Sequence, residues 1–288
     1  MLIRPLPLLN FFVAIVMFSI GLRVSTGELY DLLYARSLMV RTLVANCVLI
    51  PAVGFLLVHL FPLTPEASIG IMLLAAIPGT PIALQFTRMA KTRLAFAAAV
   101  IFVLSLVSVA MTPLIIQILP DTLRRSDRPL SSLLATVVLY IVLPLCVGVW
   151  VARRAPNLAP RMVLPLGILA SVIFVFLMWE TRSMRREALN TMRGHGTVLA
   201  MVLLLLSSML IGWLIGGPDR ETRRILATST GMRSVIVVWY IATYCFPGTE
   251  LYMIPLIYLS LMVPANLLLQ LLFIRGRKLR PAQEREAA

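Results

Sequence analysis

The chain has 288 residues, of which 60% are hydrophobic and only 13% charged. So little polar surface excludes a soluble globular domain, and the lack of ~10-residue segments of alternating polarity excludes a β-barrel. The net charge is +14, but the basic residues lie in short loops between apolar runs, where they set topology and meet anionic headgroups. That placement excludes nucleic acid as the partner.

Apolar runs close to the ~20 residues that cross a bilayer occur nine times, so an all-α polytopic membrane protein of about nine spans is predicted. Span one covers about Leu8 to Leu22, and span two about Ser37 to Leu60, with Asn46 inside it. Span three, Ala67 to Thr87, is broken by Ile77-Pro78-Gly79-Thr80-Pro81. Span four covers about Leu94 to Ile118. The polar link Pro120 to Pro129 separates the halves. Span five runs from about Leu130 to Val151, and span six from about Met162 to Trp179. Thr181 to Gly196 is read as the longest loop. Span seven covers Thr197 to Ile215 and ends at Gly216-Gly217-Pro218. Span eight, about Ile225 to Cys245, is interrupted at Thr228-Ser229-Thr230-Gly231-Met232-Arg233-Ser234. Span nine ends near Ile274, and the tail from Arg275 is basic, then polar and disordered.

Two broken spans at matching places point to an inverted-repeat transporter. The chain divides into a first repeat at residues 1–119, with spans one to four and a break near 77–81. Residues 120–161 hold connecting loops and span five. An inverted second repeat follows at 162–274, with spans six to nine and a break near 228–234. Residues 275–288 form a basic cytoplasmic tail. With the N-terminus outside, 17 Lys and Arg fall in inner loops and 8 in outer ones. The bias predicts an outside N-terminus and a cytoplasmic C-terminus in a bacterial inner membrane.

Pro-Gly breaks free backbone groups at mid-membrane, where only protein or a water-filled cavity satisfies them. Candidate substrate contacts are therefore Pro78, Gly79 and Thr80 of the first break, Ser229, Thr230, Arg233 and Ser234 of the second, and Asn46. Arg233 is the one charge deep in a span. Two roles stay open for it: contact with an anionic substrate, or a fixed structural cation. Cys47, Cys146 and Cys245 have no metal-ligand spacing, His59 and His195 lie at span ends, and no nucleophile–base set is recognisable. No metal, cofactor or enzymatic activity is expected.

Pro78-Gly79 followed by Ala90-Lys91 resembles the Pro-Gly-Gly…Ala-Lys-Gly stretch of the bile acid:sodium symporter family. Thr230-Gly231-Met232-Arg233-Ser234 resembles its Glu-x-Gly-Met-Gln-Asn stretch, and Phe18-Ser19-Ile20-Gly21-Leu22 its Met-Gly-Leu opening. The resemblance covers nearly the whole chain and implies that the first of the family's ten spans is missing. It implies a core domain of spans two, three, four, seven, eight and nine, in which the broken helices cross, and a panel domain of spans one, five and six. The substrate, a small organic anion, would bind between them by alternating access.

The resemblance also marks where this chain departs from sodium coupling. The positions matching one sodium site are Ala83, Leu84, Ala97, Ile101 and Ser229, and four of these lack a side-chain oxygen. The other site is matched by Asn46, Ser229 and Arg233. A guanidinium offers five donors and no acceptor. At ~4 Å it repels a cation by roughly 4 kcal/mol even at an effective dielectric of 20. The expectation is organic-anion transport without the family's usual sodium coupling. The alternative is a non-transporting sensor or partner subunit built on a transporter fold.

Overall fold

The computed structural model describes residues 6–24, 27, 36–79, 83, 86, 94–118, 135–136, 138–192 and 196–286. Among them the secondary structure is helical, with no strand. The helices are α1 (Leu6–Arg23), α2 (Arg36–Leu60), α3 (Pro65–Ala76), α4 (Leu94–Ile118), α5 (Leu143–Arg154), α6 (Ala159–Glu180), α7 (Arg182–Thr191), α8 (Thr197–Ile215), α9 (Arg220–Gly231), α10 (Val235–Cys245) and α11 (Met253–Glu286).

Among the described residues five segments are long and apolar enough to cross a bilayer: α2, α6, α8, the α9–α10 pair and Glu250–Phe273. Shorter apolar helices lie at Asn10–Arg23, Pro65–Ala76 and Phe96–Ser108. On α6, Leu164, Ile168, Val172, Val175 and Trp179 are all exposed. Their spacing of three and four puts them on one continuous apolar stripe, as on a helix that faces lipid. The protein is an all-α polytopic membrane protein.

α1 packs along α5 and α6, whereas α8 packs on α9 and α2, and α3 meets α2, α10 and α11. The α1–α5 crossing is set by Gly21 and Gly148. A Cβ on Gly21 would run into Leu145 O and lie 2.9 Å from Gly148 Cα, so only two glycines permit this approach.

Local chemistry explains where the helices near the breaks start. Thr64 caps α3 by accepting from Ala67 N at 3.2 Å, with Pro65 in the first turn. Asp219 caps α9 by accepting from Glu221 N and Thr222 N, at 3.2 and 2.9 Å. A side-chain acceptor satisfies amides that the helix itself leaves unpaired. The cap lets α9 begin at Arg220, five residues before the start expected from hydropathy. At its start the Arg223 and Arg224 guanidinium groups lie over the rings of Trp213 and Phe273, at 5.9 and 5.0 Å.

Two other segments differ from the sequence reading. Residues 182–191, taken for loop, form α7, which docks on α11. Its buried Ala188 and half-buried Leu189 sit against the core while Arg182 and Arg186 stay outside, so amphipathicity holds it as a helix. The tail from Arg275, read as disordered, continues α11 to Glu286. Arg, Lys, Leu, Gln and Glu are good helix formers, and propagation from an existing helix needs no new nucleus.

Candidate functional site

The first break follows α3. Ile77 is extended, at φ −103° and ψ 98°. Gly79 has φ 74°, a left-handed conformation that glycine reaches without strain. A Cβ there would also lie 2.8 Å from the Leu104 backbone of α4. The second break is shorter than the sequence suggested. Thr228, Ser229, Thr230 and Gly231 remain helical, and the chain opens only over Met232–Ser234. Met232 is extended, at φ −92° and ψ 99°.

The two breaks meet. Ser234 N donates to Ile77 O at 3.3 Å. Arg233 Nε donates to Leu74 O at 2.8 Å, and its Nη2 to Ala75 O. These carbonyls belong to the last turn of α3, where helical geometry leaves carbonyls without partners. A cation at a helix C-terminus also meets the negative end of the helix dipole. The guanidinium therefore closes the first half-helix from across the second break.

The third partner of Arg233 is Asn46, whose Oδ1 accepts from Nη1 at 2.8 Å. Asn46 sits in a π-helical turn, Ala45–Leu49, within α2. The extra residue of such a turn re-aims side chains. Here the amide faces inward, donating to Thr42 O at 2.9 Å and to Thr230 Oγ1 at 3.5 Å. Arg233 is 0% exposed, and its hydrogen-bond partners among the described residues are all neutral oxygens.

The remaining candidates divide. Thr230 and Ser234 belong to this network, and Pro78 and Gly79 are buried beside it. Ser229 Oγ instead donates to Leu226 O of its own helix, at 3.3 Å. Ala83, Ala97 and Ile101 are buried hydrocarbon positions. Thr80 and Leu84 lie outside the described residues.

Polar groups of α11 also serve the second break, and the sequence reading did not name them. Tyr258 OH donates to Gly231 O at 3.0 Å, and Gln270 Nε2 to Thr228 Oγ1 at 2.9 Å. The available signal was the polar series Tyr258, Asn266, Gln270 at helical spacing in an otherwise apolar span.

The chain aligns with an uncharacterised sodium-dependent transporter, YocS, of Bacillus subtilis (strain 168), at 23% identity over 235 residues. That alignment covers 78% of this chain and 70% of the relative. It also aligns with the hepatic sodium/bile acid cotransporter of Rattus norvegicus, at 20% identity over 289 residues, covering 94% of this chain and 77% of the relative. The profile of the sodium bile acid symporter family matches residues 10–189, which hold the first break and Asn46. With two half-helices meeting at a buried break and a family profile spanning more than half its length, the chain belongs to the sodium bile acid symporter family.

Proposed function

We propose that the protein is a secondary transporter of a small organic anion, working by alternating access, in which Arg233 takes the place of the family's coupling cation. The observation that carries this is the guanidinium itself. It holds the Leu74 and Ala75 carbonyls and the Asn46 amide oxygen. Asn46 keeps the one side-chain carbonyl oxygen left at the second sodium position, and that oxygen already accepts from Arg233. A hydrated ion would have to displace a tethered charge that is desolvated and hydrogen-bonded in place.

Of the two roles open to Arg233, the fixed structural cation fits its complete burial. The broken helices around it form one block, and the block moves against α1, α5 and α6 during transport. The N-terminus lies outside and the C-terminus in the cytoplasm of a bacterial inner membrane. The substrate meets the block at the breaks, where half-helix ends supply partial charge without an ion.

The test is uptake of candidate organic anions into proteoliposomes in sodium and in choline buffer. Uptake with equal rates in the two buffers is the expected result. A strong sodium requirement would overturn the role given to Arg233. Ligand binding with no uptake in either buffer would point to a sensor instead.

A further inference from the structure

α5 and α6 both pack along α1 and are joined by the short link Ala155–Leu158. The link is a turn in which Leu158 N donates to Ala155 O at 3.0 Å, so the end of α5 and the start of α6 are held together. Each helix carries an exposed apolar stripe at spacings of three and four. On α5 it is Leu143, Val147 and Trp150; on α6 it begins at Leu164 and ends at Trp179. Both stripes run into arginine at the link. Arg154 follows Trp150 at a spacing of four, Arg161 precedes Leu164 at three, and Arg153 lies beside them. All three arginines are exposed.

From Arg161 to Trp179 the α6 stripe is about 27 Å long at ~1.5 Å per residue, close to the ~30 Å of a hydrocarbon core. Arg161 and Trp179 therefore fall at opposite headgroup levels. Trp150 is 60% exposed one turn before Arg154, as befits an amphipathic ring at a membrane interface.

The two ends of the α6 stripe use their charges differently. At the far end Arg182 lies 3.9 Å over the Trp179 ring, and Arg185 donates to Met178 O at 2.8 Å. Glu180 and Glu187 share that end. At the link the balance is wholly positive. No Asp or Glu occurs between Asp127 and Glu180, so no carboxylate of α5, the link or the first turns of α6 offsets the three guanidiniums. Arg23, the last residue of α1, adds a fourth cation there and donates to Val163 O at 3.3 Å. Guanidinium forks match phosphate oxygens in pairs, and the apolar stripes that run from them match acyl chains.

We infer that this corner binds one anionic phospholipid. Arg153, Arg154 and Arg161 hold its phosphate, and its acyl chains lie along the stripes that start at Trp150 and Leu164. The occupant is a lipid and not a free anion because the charges stand at the ends of two apolar stripes. It is an anionic lipid because a choline headgroup would bring a further cation to guanidiniums that lack a carboxylate. The distribution of Lys and Arg predicts that this end is cytoplasmic, the side on which anionic headgroups attract basic segments. A diffuse field would respond to the number of arginines removed, whereas a site responds to which ones. The inference concerns α1, α5 and α6 alone and does not depend on the carrier reading.

The test is lipid retention by the purified full-length protein in detergent, read by native mass spectrometry. The protein is equilibrated with equal amounts of dioleoylphosphatidylglycerol and dioleoylphosphatidylcholine. Wild type should retain a single phosphatidylglycerol in preference to phosphatidylcholine. An arginine near an anionic headgroup is worth about fivefold in affinity. The triple variant Arg153→Gln, Arg154→Gln, Arg161→Gln should therefore bind phosphatidylglycerol about a hundredfold more weakly. A control, Arg36→Gln, Arg41→Gln, Arg220→Gln, removes the same charge from other exposed positions on the predicted cytoplasmic side and should retain the lipid. Phosphatidylglycerol should also raise the Tm of wild type and control by mass action, but not that of the first variant. Inorganic phosphate should raise none of them.

Equal retention of the two lipids by wild type overturns the assignment, and that comparison stands even if a variant folds poorly. Equal losses in the two triple variants overturn it in favour of diffuse attraction to a basic surface. Stabilisation of wild type by inorganic phosphate as large as that by phosphatidylglycerol overturns it in favour of a plain anion site.

Discussion

Arg233, in the break of one half of the chain, donates from Nε to the Leu74 carbonyl at the end of a half-helix in the other, at 2.8 Å. A charge that would be costly alone in a membrane is thus held where carbonyls lack other partners. The pairing makes each break the completion of the other.

Arg233→Met should therefore destabilise the protein strongly. It frees the acceptors at Leu74, Ala75 and Asn46, each worth about 1–3 kcal/mol when buried without a partner. A loss of about 3 kcal/mol or more is expected from denaturant unfolding in detergent. Arg233→Lys keeps the charge but loses the planar fork, and should fall between the two. An Arg233→Met protein as stable as wild type would remove Arg233 from the frame of the site.

The bond from Arg233 to Asn46 is open to a double-mutant cycle. Asn46→Ala, Arg233→Met and the double variant should show a coupling of about 1.5–3 kcal/mol, as for other hydrogen bonds to charged groups. Simple additivity would mean that the π-helical turn of α2 does not aim Asn46 at the guanidinium in the working protein.

Gly79 and Gly248 both adopt positive φ, 74° and 79°, but in different surroundings. A Cβ at Gly79 meets the Leu104 backbone at 2.8 Å, whereas at Gly248 no described residue other than its chain neighbours comes within 4 Å. Gly248→Ala should cost only the left-handed strain, roughly 1–2 kcal/mol. Gly79→Ala should cost that strain plus a displacement of α4 against the first break, and so should lower transport as well as melting temperature. Equal effects at the two sites would show that the α4 contact is unimportant.

Topology gives an independent check. The 17-to-8 distribution of Lys and Arg predicts that Ala288 lies in the cytoplasm. A reporter fused after Ala288 should be active only if it is of the kind that works in the cytoplasm. Activity of a periplasm-dependent reporter there would invert every loop assignment.

By itself the sequence determined the class of protein, most helix positions and the existence of two breaks. These are local properties: hydropathy over ~20 residues marks spans, and Pro78-Gly79 marks the first interruption because neither residue continues a helix cheaply. It also marked Arg233 as exceptional, since no other charge lies so deep in a span. Its patterns failed where neighbours decide. α7 was taken for loop because its helicity depends on docking against α11. The second break was drawn too long because Thr228–Gly231 stay helical under contacts from Tyr258 and Gln270 of α11. The partners of Arg233 were beyond the sequence altogether. Two are backbone carbonyls, which every residue carries, so only the crossing of α3 with the second break singles out Leu74 and Ala75. The third, Asn46, was visible as a polar residue in a span, but its aim depends on one extra residue in a helical turn. Hydropathy and motif record which residues are unusual. Which groups they satisfy is decided by long-range packing, because a buried donor is stable only where the folded chain brings an acceptor to it.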